Sequence, residues 1–318
     1  MHASIYVYAL LYTLNIYAYT IYLHTHKSLH IHTPQYLVAR SMSFYRALDS
    51  GVLRASSRVE KFVSNAWTSG PWSKQLQHGG PPTALLARCI ERVALDHGFS
   101  HISRITASFL RAVPASSEEL QVISSMDRVG SKTAQASAEL QTRNGDRLMT
   151  ASATLIRSLS EVIPSPFAVP IRMLPPKSCH PTSFSMIFDL NAENYGSAFE
   201  LRSTVPDPTL GFGPNKCWFR QKVTLVDQEA VSPLCRTLCA ADSCNGLSSA
   251  VDFSKWTYMN VDITVACARP MQGEWVGIDA RTDVGAGHGL SSGGLFDENG
   301  MYGQVLQAIV FNRRDSKL

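Results

Sequence analysis

One carboxylate stands out in an otherwise apolar helical pattern in the second half of the chain. The stretch PLCRTLCAADSCNGL places Leu234, Leu238 and Asp242 at intervals of four, along one side of a helix. A carboxylate directed toward a core is costly unless it is hydrogen-bonded. Asp242 is therefore either a helix C-cap or solvent-facing residue, or a partly buried general base.

Polar side chains that could serve such a base follow in two patterns typical of strands. The stretch YMNVDITVACARP alternates so that Asn260, Asp262 and Thr264 would share one face of a strand. The stretch GQVLQAIVF places Gln307 in an apolar run, where a buried amide needs a partner. The carboxylate, the glutamine, and an amide or hydroxyl from Asn260 or Thr264 could hold one water for attack on a carbonyl. The predicted catalytic residues are thus Asp242, Gln307, Asn260 and Thr264.

A second candidate group begins a helix in the first half of the chain. The stretch QLQHGGPPTALLARCIERV sets His78, Gly79 and Gly80 before two prolines, a residue type that fits the first turn of a helix. Glycine lets the backbone approach another group closely, and free N–H groups at a helix start favour an oxyanion. We therefore predict that these three residues bind substrate. The alternative is that the glycines only let a sheet pack against the helix start.

Two glycine-rich motifs lack the context that their chemistry requires. GLSSG at 289–293 matches the G-x-S-x-G elbow of serine hydrolases, but that elbow needs a helix after it, and a hairpin pattern follows here. GLSSG is therefore predicted to be a glycine-rich strand end. GAGHG, which begins at Gly285, lacks the strand–helix–strand unit that surrounds a dinucleotide site.

The elements that must position the candidate residues occur twice. Residues 105–157 and 261–313 each open with an alternating strand that leads to an arginine and a proline, and each continues into a second strand. Each stretch ends in two strand patterns around an Asn-Gly pair, which is a strong hairpin signal. A helix pattern precedes each set, over about 82–97 and about 233–247, with Ser232 as a natural N-cap of the second helix.

The duplicated order predicts an α+β fold of two units, because a helix with one apolar face needs a sheet to cover it. The apolar face of the first helix consists of Leu85, Leu86, Cys89, Ile90 and Val93. We predict a first unit over 42–157, a Pro-rich linker over 158–212 and a second unit over 213–318. An N-terminal extension over 1–41 would precede them.

Composition bounds the class of protein. Of the 318 residues, 45% are hydrophobic and 17% are charged, which is typical of a globular chain with a core. The net charge of +4 and the lack of a basic run argue against nucleic-acid binding. The seven cysteines contain no C-x-x-C pair, which favours a reducing compartment. The cluster Cys235, Cys239 and Cys244 has no histidine nearby in sequence, so no metal site is predicted.

The two ends of the chain differ from the rest. Residues 1–41 are low in complexity and hold five of the ten histidines and seven of the eleven tyrosines. A membrane anchor would contain fewer Tyr and Thr residues, and a signal peptide would have a basic start, so translated upstream sequence with Met42 as the true start is favoured. The last residues, Ser316, Lys317 and Leu318, match an address that the peroxisomal import receptor recognises. A peroxisomal protein without a membrane anchor is predicted.

Four stretches together resemble a known family. They are GPWSKQLQHGGPPTALLARCIERV, SFLRAVP, NVDITVACARPMQGEWVGIDART and LFDENGMYGQVLQ, within about 59–313. The chain resembles the double-hotdog acyl-CoA thioesterases, which comprise the type II group and its thioesterase-like relatives. This resemblance implies a double hotdog, in which two antiparallel sheets each wrap a long central helix.

The resemblance also implies roles for individual residues. In the family, a water is positioned by an aspartate on the second helix, a threonine or serine on the next strand and a glutamine on the last strand. The aspartate falls on Asp242 and the glutamine on Gln307. The hydroxyl position falls on Asn260, which departs from the family pattern, and Thr264 could supply the hydroxyl instead.

The expected reaction is hydrolysis of acyl-CoA to a fatty acid and CoA, without a metal or other cofactor. The acyl tail would lie in an apolar slot between helix and sheet, and a homo-oligomer is compatible with the sequence. Two alternatives remain open. A hotdog enoyl-CoA hydratase or dehydratase would need an Asp–His pair, and SCNGLSS after Asp242 contains no histidine. A non-catalytic acyl-CoA-binding protein is the other, and Asn260 makes it plausible.

Overall fold

The structure is a computed structural model. The structure describes residues 42–49, 51–54, 57–159, 161, 163–165, 171–206 and 211–314. The predicted extension over 1–41 and the predicted peroxisomal address at 316–318 lie outside the described residues, so both stay predictions. No helix among the described residues is long and apolar enough to cross a membrane.

The described residues form eighteen strands and three α-helices. In chain order these elements are β1 (Ser43–Ala47), β2 (Val52–Arg54), β3 (Ser57–Ser64), α1 (Gly80–Leu95), β4 (Ile102–Phe109), β5 (Leu120–Val129), β6 (Thr133–Thr142), β7 (Arg147–Ile156), β8 (His180–Thr182), β9 (Phe199–Ser203), β10 (Gly211–Phe212), β11 (Asn215–Gln221), β12 (Thr224–Val226), α2 (Pro233–Ala241), α3 (Cys244–Leu247), β13 (Ser248–Ser249), β14 (Trp256–Asn260), β15 (Asp262–Cys267), β16 (Trp275–Gly285), β17 (His288–Asp297) and β18 (Gly300–Arg313).

The strands of the two halves form one continuous sheet, where two sheets were expected. The order along the main path is β12-β1-β3-β5-β6-β7-β4-β15-β18-β17-β16-β11-β9-β8. The halves meet where β4 pairs with β15 in antiparallel fashion, with Asp262 opposite Ser108. Each half therefore covers one edge strand of the other, which leaves neither of these two edges exposed.

The first helix matches its prediction closely. It begins at Gly80, two residues before the expected start, and ends at Leu95. All five residues of its predicted apolar face are fully buried. The helix packs against β5, β6 and β7, so the first set of strands covers it as the amphipathic pattern predicted.

The second helix is shorter than expected. Ser232 caps α2 as predicted, because its hydroxyl accepts a hydrogen bond from the backbone N–H of Cys235 at 3.1 Å. The helix ends at Ala241, and the separate short helix α3 begins at Cys244. The prediction of one long helix over 233–247 was therefore wrong, and Asp242 lies at the break between the two helices.

A one-residue irregularity separates β14 from β15 at Val261. In β14, Asn260 lies opposite Ile309 of β18, whereas in β15, Thr264 lies opposite Leu306. The two registers differ by one residue, and such a slip reverses which side chains face the core. The expectation that Asn260 and Thr264 share one face of a strand is therefore not met.

The predicted linker also contributes to the sheet. Its strands β8 and β9 pair with each other, and β9 pairs with β11. The GLSSG stretch lies within β17, and β18 follows it in a hairpin whose turn consists of Glu298 and Asn299, with Gly300 as the first residue of β18. Because a strand and not a helix follows this stretch, the serine-hydrolase elbow is excluded.

Candidate functional site

The candidate site is a cavity of about 360 Å³ between the two halves of the chain. Asp242, Asn245 and Asn260 border it from the second half. His78 and Gly79 border it from the start of α1. Most of the remaining lining is apolar or aromatic and includes Trp72, Phe109, Phe184, Phe188, Tyr195, Phe253 and Tyr258. The fold thus brings the two groups of candidate residues into one site.

Asp242 is 2% exposed, and both of its carboxylate oxygens are hydrogen-bonded. Oδ1 accepts from Asn260 Nδ2 at 2.8 Å and from Gln307 Nε2 at 3.2 Å. Oδ2 lies 2.8 Å from Nδ1 of His78. Because the two amides donate to it and a carboxylate can only accept, this environment matches the ionised form of the side chain. Asp242 is both the C-cap of α2 and a buried acceptor at the cavity wall.

Gln307, on β18, binds the Asp242 carboxylate. Its side chain is fully buried, and its Oε1 accepts the backbone N–H of Asn245 at 3.0 Å. Its Nε2 donates to Asp242, which fixes the orientation of the amide. Gln307 thus connects β18 to the break between α2 and α3. Asn260, in contrast, borders the cavity itself and also donates to the carbonyl of Asp262 at 3.0 Å.

Thr264 does not join this group. Its hydroxyl lies 3.0 Å from the hydroxyl of Thr106, across the β4–β15 pair. The physical reason is the irregularity at Val261, which turns Thr264 to the opposite face of the sheet from Asn260. Asp262 compensates for the disrupted ladder, because its Oδ1 accepts the backbone N–H of Ala308 at 2.8 Å.

Tyr195 is a site residue that the sequence did not reveal. Its ring stacks on the imidazole of His78, with 3.6 Å between ring centroids and 3° between planes. Its hydroxyl donates to the carbonyl of Cys239 at 2.6 Å and lies 2.7 Å from the hydroxyl of Ser243. Burial raises the pKa of Tyr195 well above its usual value, so it remains a neutral donor. Tyr195 lies in the predicted linker, where no periodic pattern marked it.

The two glycines before the prolines allow the close approach of the two halves. A Cβ on Gly79 would lie 2.6 Å from the ring of Phe109 and 2.9 Å from Oδ2 of Asp242. A Cβ on Gly80 would lie 2.5 Å from the carbonyl oxygen of Cys239. Gly80 is therefore required by helix packing, and Gly79 by the approach of the helix start to the buried carboxylate.

The start of α1 has few backbone donors. Pro81 and Pro82 lack an N–H, and the N–H of Thr83 donates to the carbonyl of Gly79 at 3.2 Å. The N–H of Gly80 donates to Nδ1 of His78 at 3.4 Å, and the N–H of Gly79 lies at the positive end of the helix dipole. Of these two residues, Gly79 borders the cavity.

Gly79→Ala is expected to lower kcat at least tenfold, because the new methyl group must displace Phe109 or the Asp242 carboxylate. Overpacking of this kind also costs about 1–3 kcal/mol of folding free energy. Steady-state kinetics and urea unfolding measure the two effects. Gly285→Ala is the matched control, since a Cβ there meets nothing within 4 Å. Equal kinetics of the two variants would show that the close approach at Gly79 has no role in the site.

Comparison with known families decides the class of this protein. A family model described as the acyl-CoA thioesterase N-terminal domain matches residues 68–156, and one described as the acyl-CoA thioesterase C-terminal domain matches residues 176–311. The chain belongs to the acyl-CoA thioesterase family. The second match includes Tyr195, so this part of the predicted linker belongs to the C-terminal thioesterase domain.

Solved structures share the fold of this thioesterase at low sequence identity. A protein from Novosphingobium aromaticivorans that is assigned as a thioesterase aligns with a TM-score of 0.62 and 16% identity, over 84% of this chain and 98% of its own. The acyl-CoA thioesterase II of Mycobacterium marinum aligns with a TM-score of 0.58 and 14% identity, over 87% and 98%.

A protein from Alicyclobacillus acidocaldarius described as having a hotdog fold aligns with a TM-score of 0.58 and 14% identity, over 85% of this chain and 97% of its own. These likenesses show that the thioesterase has a hotdog fold. A comparison with curated protein sequences found no match.

Proposed function

We propose that the protein hydrolyses acyl-CoA thioesters by direct attack of a water molecule that is activated through Asp242. The observation that carries this proposal is the buried carboxylate at the wall of a mostly apolar cavity, with the start of α1 beside it. A fixed acceptor for a proton and fixed donors for an oxyanion are the two requirements of acyl transfer to water. Family membership supports the same reaction.

The cavity lining supports an acyl tail as the bound group. Trp72, Phe253 and Tyr258 contact one another through their rings, with centroid separations of 5.4–6.4 Å. Phe109 and Phe188 add apolar surface nearer to the start of α1. In the proposed complex, the acyl chain lies against these rings and the thioester oxygen faces the N–H of Gly79.

A covalent acyl-enzyme is disfavoured by the state of the nearby nucleophiles. Burial raises the pKa of the Cys244 thiol to about 12 and that of Cys239 further still, so neither forms a thiolate near neutral pH. The hydroxyl of Ser243 is buried and bonded to Tyr195. Water is therefore the proposed nucleophile.

One contact favours the alternative that the protein is a hydratase. The sequence argued against a hydratase because no histidine follows Asp242, but the fold places Nδ1 of His78 2.8 Å from the Asp242 carboxylate. An Asp–His pair is thus present, and only the reaction can distinguish the two functions. The family matches favour hydrolysis.

A panel of acyl-CoAs of increasing chain length tests the proposal directly. Release of free thiol, followed with a chromogenic thiol reagent, is the expected result. Enoyl-CoA is included, and loss of its conjugated absorbance without thiol release would indicate hydration instead. Binding of acyl-CoA with neither change would indicate a carrier, and either of these outcomes would reject hydrolysis.

For its location, we propose import into peroxisomes through Ser316, Lys317 and Leu318. Deletion of Leu318 is expected to leave an N-terminally tagged protein in the cytosol, because the receptor recognises the free C-terminal tripeptide. Fluorescence microscopy with a peroxisomal marker measures this. The matched control is Ser158→Ala, a change far from the terminus in sequence. Continued colocalisation of the truncated protein with peroxisomes would contradict the proposal.

A further inference from the structure

A second cavity, of about 420 Å³, adjoins the cavity of the candidate site. We call the space that Asp242 borders the proximal cavity and this second space the distal cavity. Among the described residues, four line both cavities: Pro71, Trp72, Ile187 and Phe253. The rest of the distal lining consists of Met186, Phe212, Asp252, Ser254 and Arg314. Because the four shared side chains border both spaces, they separate one cavity from the other.

Two of the shared residues are aromatic and contact each other. The ring centroids of Trp72 and Phe253 are 6.4 Å apart, and both rings contact Tyr258, at 5.5 and 5.4 Å. Trp72 comes from the first half of the chain and Phe253 from the second, and each lies in a loop outside the strands and helices. These two rings, which we call the aromatic wall, are thus brought together by loops from both halves.

Strand β14 relates the aromatic wall to the reaction end of the proximal cavity. Asn260, the last residue of β14, donates to the Asp242 carboxylate, and Tyr258 lies two residues earlier in the same strand. Residues two apart in a strand share one face and are separated by about 7 Å. Both side chains border the proximal cavity. An acyl chain that extends from Asp242 along β14 therefore runs toward the aromatic wall.

An arginine holds the aromatic wall in place from the distal side. The guanidinium carbon of Arg314 lies 5.7 Å from the centroid of the Trp72 ring, and its Nε donates to the carbonyl of Phe253 at 2.6 Å. The backbone N–H of Arg314 donates to the carbonyl of Lys255 at 2.9 Å. One residue therefore contacts both loops, and the two rings cannot separate without the loss of some of these contacts.

We propose that Trp72 and Phe253 determine which acyl chain length the enzyme prefers, because they separate the proximal cavity from the distal one. This inference rests on the proposed hydrolysis and names its substrate class: acyl-CoAs whose tails end at the aromatic wall. A tail that fits gains the burial of each methylene, whereas a longer tail must displace a ring. The distal cavity is the space that a longer tail enters once the wall is removed.

The dependence of kcat/KM on chain length tests this proposal, with saturated acyl-CoAs from acetyl-CoA to palmitoyl-CoA. For the wild type, kcat/KM is expected to rise about fourfold for each added methylene until the tail reaches the rings, and to fall beyond that length. Phe253→Ala removes one ring of the aromatic wall. For chains longer than the wild-type optimum, this variant is expected to raise kcat/KM by about tenfold or more.

Phe311→Ala controls for the loss of an aromatic ring as such. The ring of Phe311 also contacts Tyr258, at 6.3 Å, but Phe311 is a described residue outside the lining of both cavities. This variant is expected to keep the wild-type chain-length optimum. A shift of the optimum to longer chains in Phe311→Ala equal to that in Phe253→Ala would show that general loosening, and not the opened wall, extends the range.

A second substitution tests where the longer tail goes. Met186 is 61% exposed and belongs to the lining of the distal cavity and not to that of the proximal one. Met186→Trp, added to Phe253→Ala, fills part of the distal cavity and is expected to reverse most of the gain on long chains. A double variant that keeps the whole gain would show that the tail leaves by another path, and the proposed role of the distal cavity would be wrong.

The two proposals fail in different ways. A wild-type protein that releases no thiol from any acyl-CoA would reject the hydrolysis and, with it, a chain-length limit on that reaction. An active wild type with an unchanged optimum in Phe253→Ala would reject the role of the aromatic wall alone. A rise in KM by the same factor at every chain length would also reject it, because the rings would then contact the CoA portion. If Phe253→Ala unfolds, as judged by thermal melting, Trp72→Leu opens the wall from the other loop, and the same shift is expected.

Discussion

Asp242→Asn is expected to keep the fold and to lose about 10²- to 10⁴-fold in kcat. The substitution preserves the size of the side chain. It replaces one carboxylate oxygen, which accepts hydrogen bonds, by an NH₂ group, which donates them, at a position where the neighbouring amides also donate. If the new NH₂ faces Asn260 and Gln307, three amide donors converge where one acceptor was required. If it faces His78, Nδ1 of the imidazole must accept a hydrogen bond from the new amide. Either orientation replaces the carboxylate, the proposed proton acceptor, by a neutral amide that is a far weaker base.

Initial rates at saturating acyl-CoA, together with thermal melting, measure this loss. Asp146→Asn is the matched control, because Asp146 is an exposed carboxylate in the first hairpin that pairs with Arg111. Gln307→Ala should also lower the rate, and the double variant should lose less than the product of the two single losses, since both residues act on one proton acceptor. Unchanged hydrolysis in a folded Asp242→Asn variant would remove this carboxylate from the mechanism.

Local sequence patterns predicted the features that depend on local spacing. The apolar stripe of α1, the N-cap at Ser232 and the hairpin turn at Asn299 each involve residues within a few positions of one another, and all three were found. The apolar helix pattern around Asp242 left two interpretations, a C-cap or solvent-facing residue and a partly buried base, and the structure shows a C-cap that is also buried. Its contacts with Asn260 and Gln307 followed from placing three polar residues in apolar runs.

The features that were missed depend on distant parts of the chain or on an irregular backbone. The irregularity at Val261 reverses one strand face, and alternation alone cannot reveal a single inserted residue. The stacking of Tyr195 on His78 joins residues 117 positions apart, from a segment that the prolines marked only as a linker. The break of the second helix at Asp242 also had no proline or glycine to signal it.

The duplication allows a comparison of the buried carboxylates at the two ends of the helix pair. Cys235 of α2 donates from its thiol to the carbonyl of Ala84 in α1, and these positions correspond if Pro82 is aligned with Pro233. The same alignment places Glu91 where the second half has Asp242. Glu91 accepts a hydrogen bond from the capping hydroxyl of Ser232 at 3.0 Å, and burial raises its pKa. The first half thus uses its carboxylate for a structural contact, next to a buried ion-pair network.

That network leads to a second prediction of large effect, on stability. Arg88 of α1 lies 2.5 Å from Glu60 and donates two hydrogen bonds to Glu229, at 2.9 and 2.6 Å. Burial alone would lower the pKa of Arg88, but the hydrogen bonds and charge of its partners outweigh burial and raise it above its usual value. Glu60 is 1% exposed and also contacts Arg92 at 2.8 Å. Removal of Arg88 therefore leaves a buried carboxylate with one partner fewer.

Arg88→Met is expected to lower the free energy of unfolding by about 3–5 kcal/mol, as measured by urea denaturation, because a buried charge loses its main partner. Arg111→Met is the matched control, since that arginine and Asp146 are 63% and 53% exposed, and such a surface pair contributes about 0–1 kcal/mol. Adding Glu60→Gln to Arg88→Met should restore part of the loss, because no uncompensated carboxylate then remains at Glu60. Equal, small effects of Arg88→Met and Arg111→Met would show that water or rearrangement compensates the network. The candidate-site end of the helix pair differs from this network, because the Asp242 carboxylate accepts hydrogen bonds from the amides of Asn260 and Gln307 and not from an arginine.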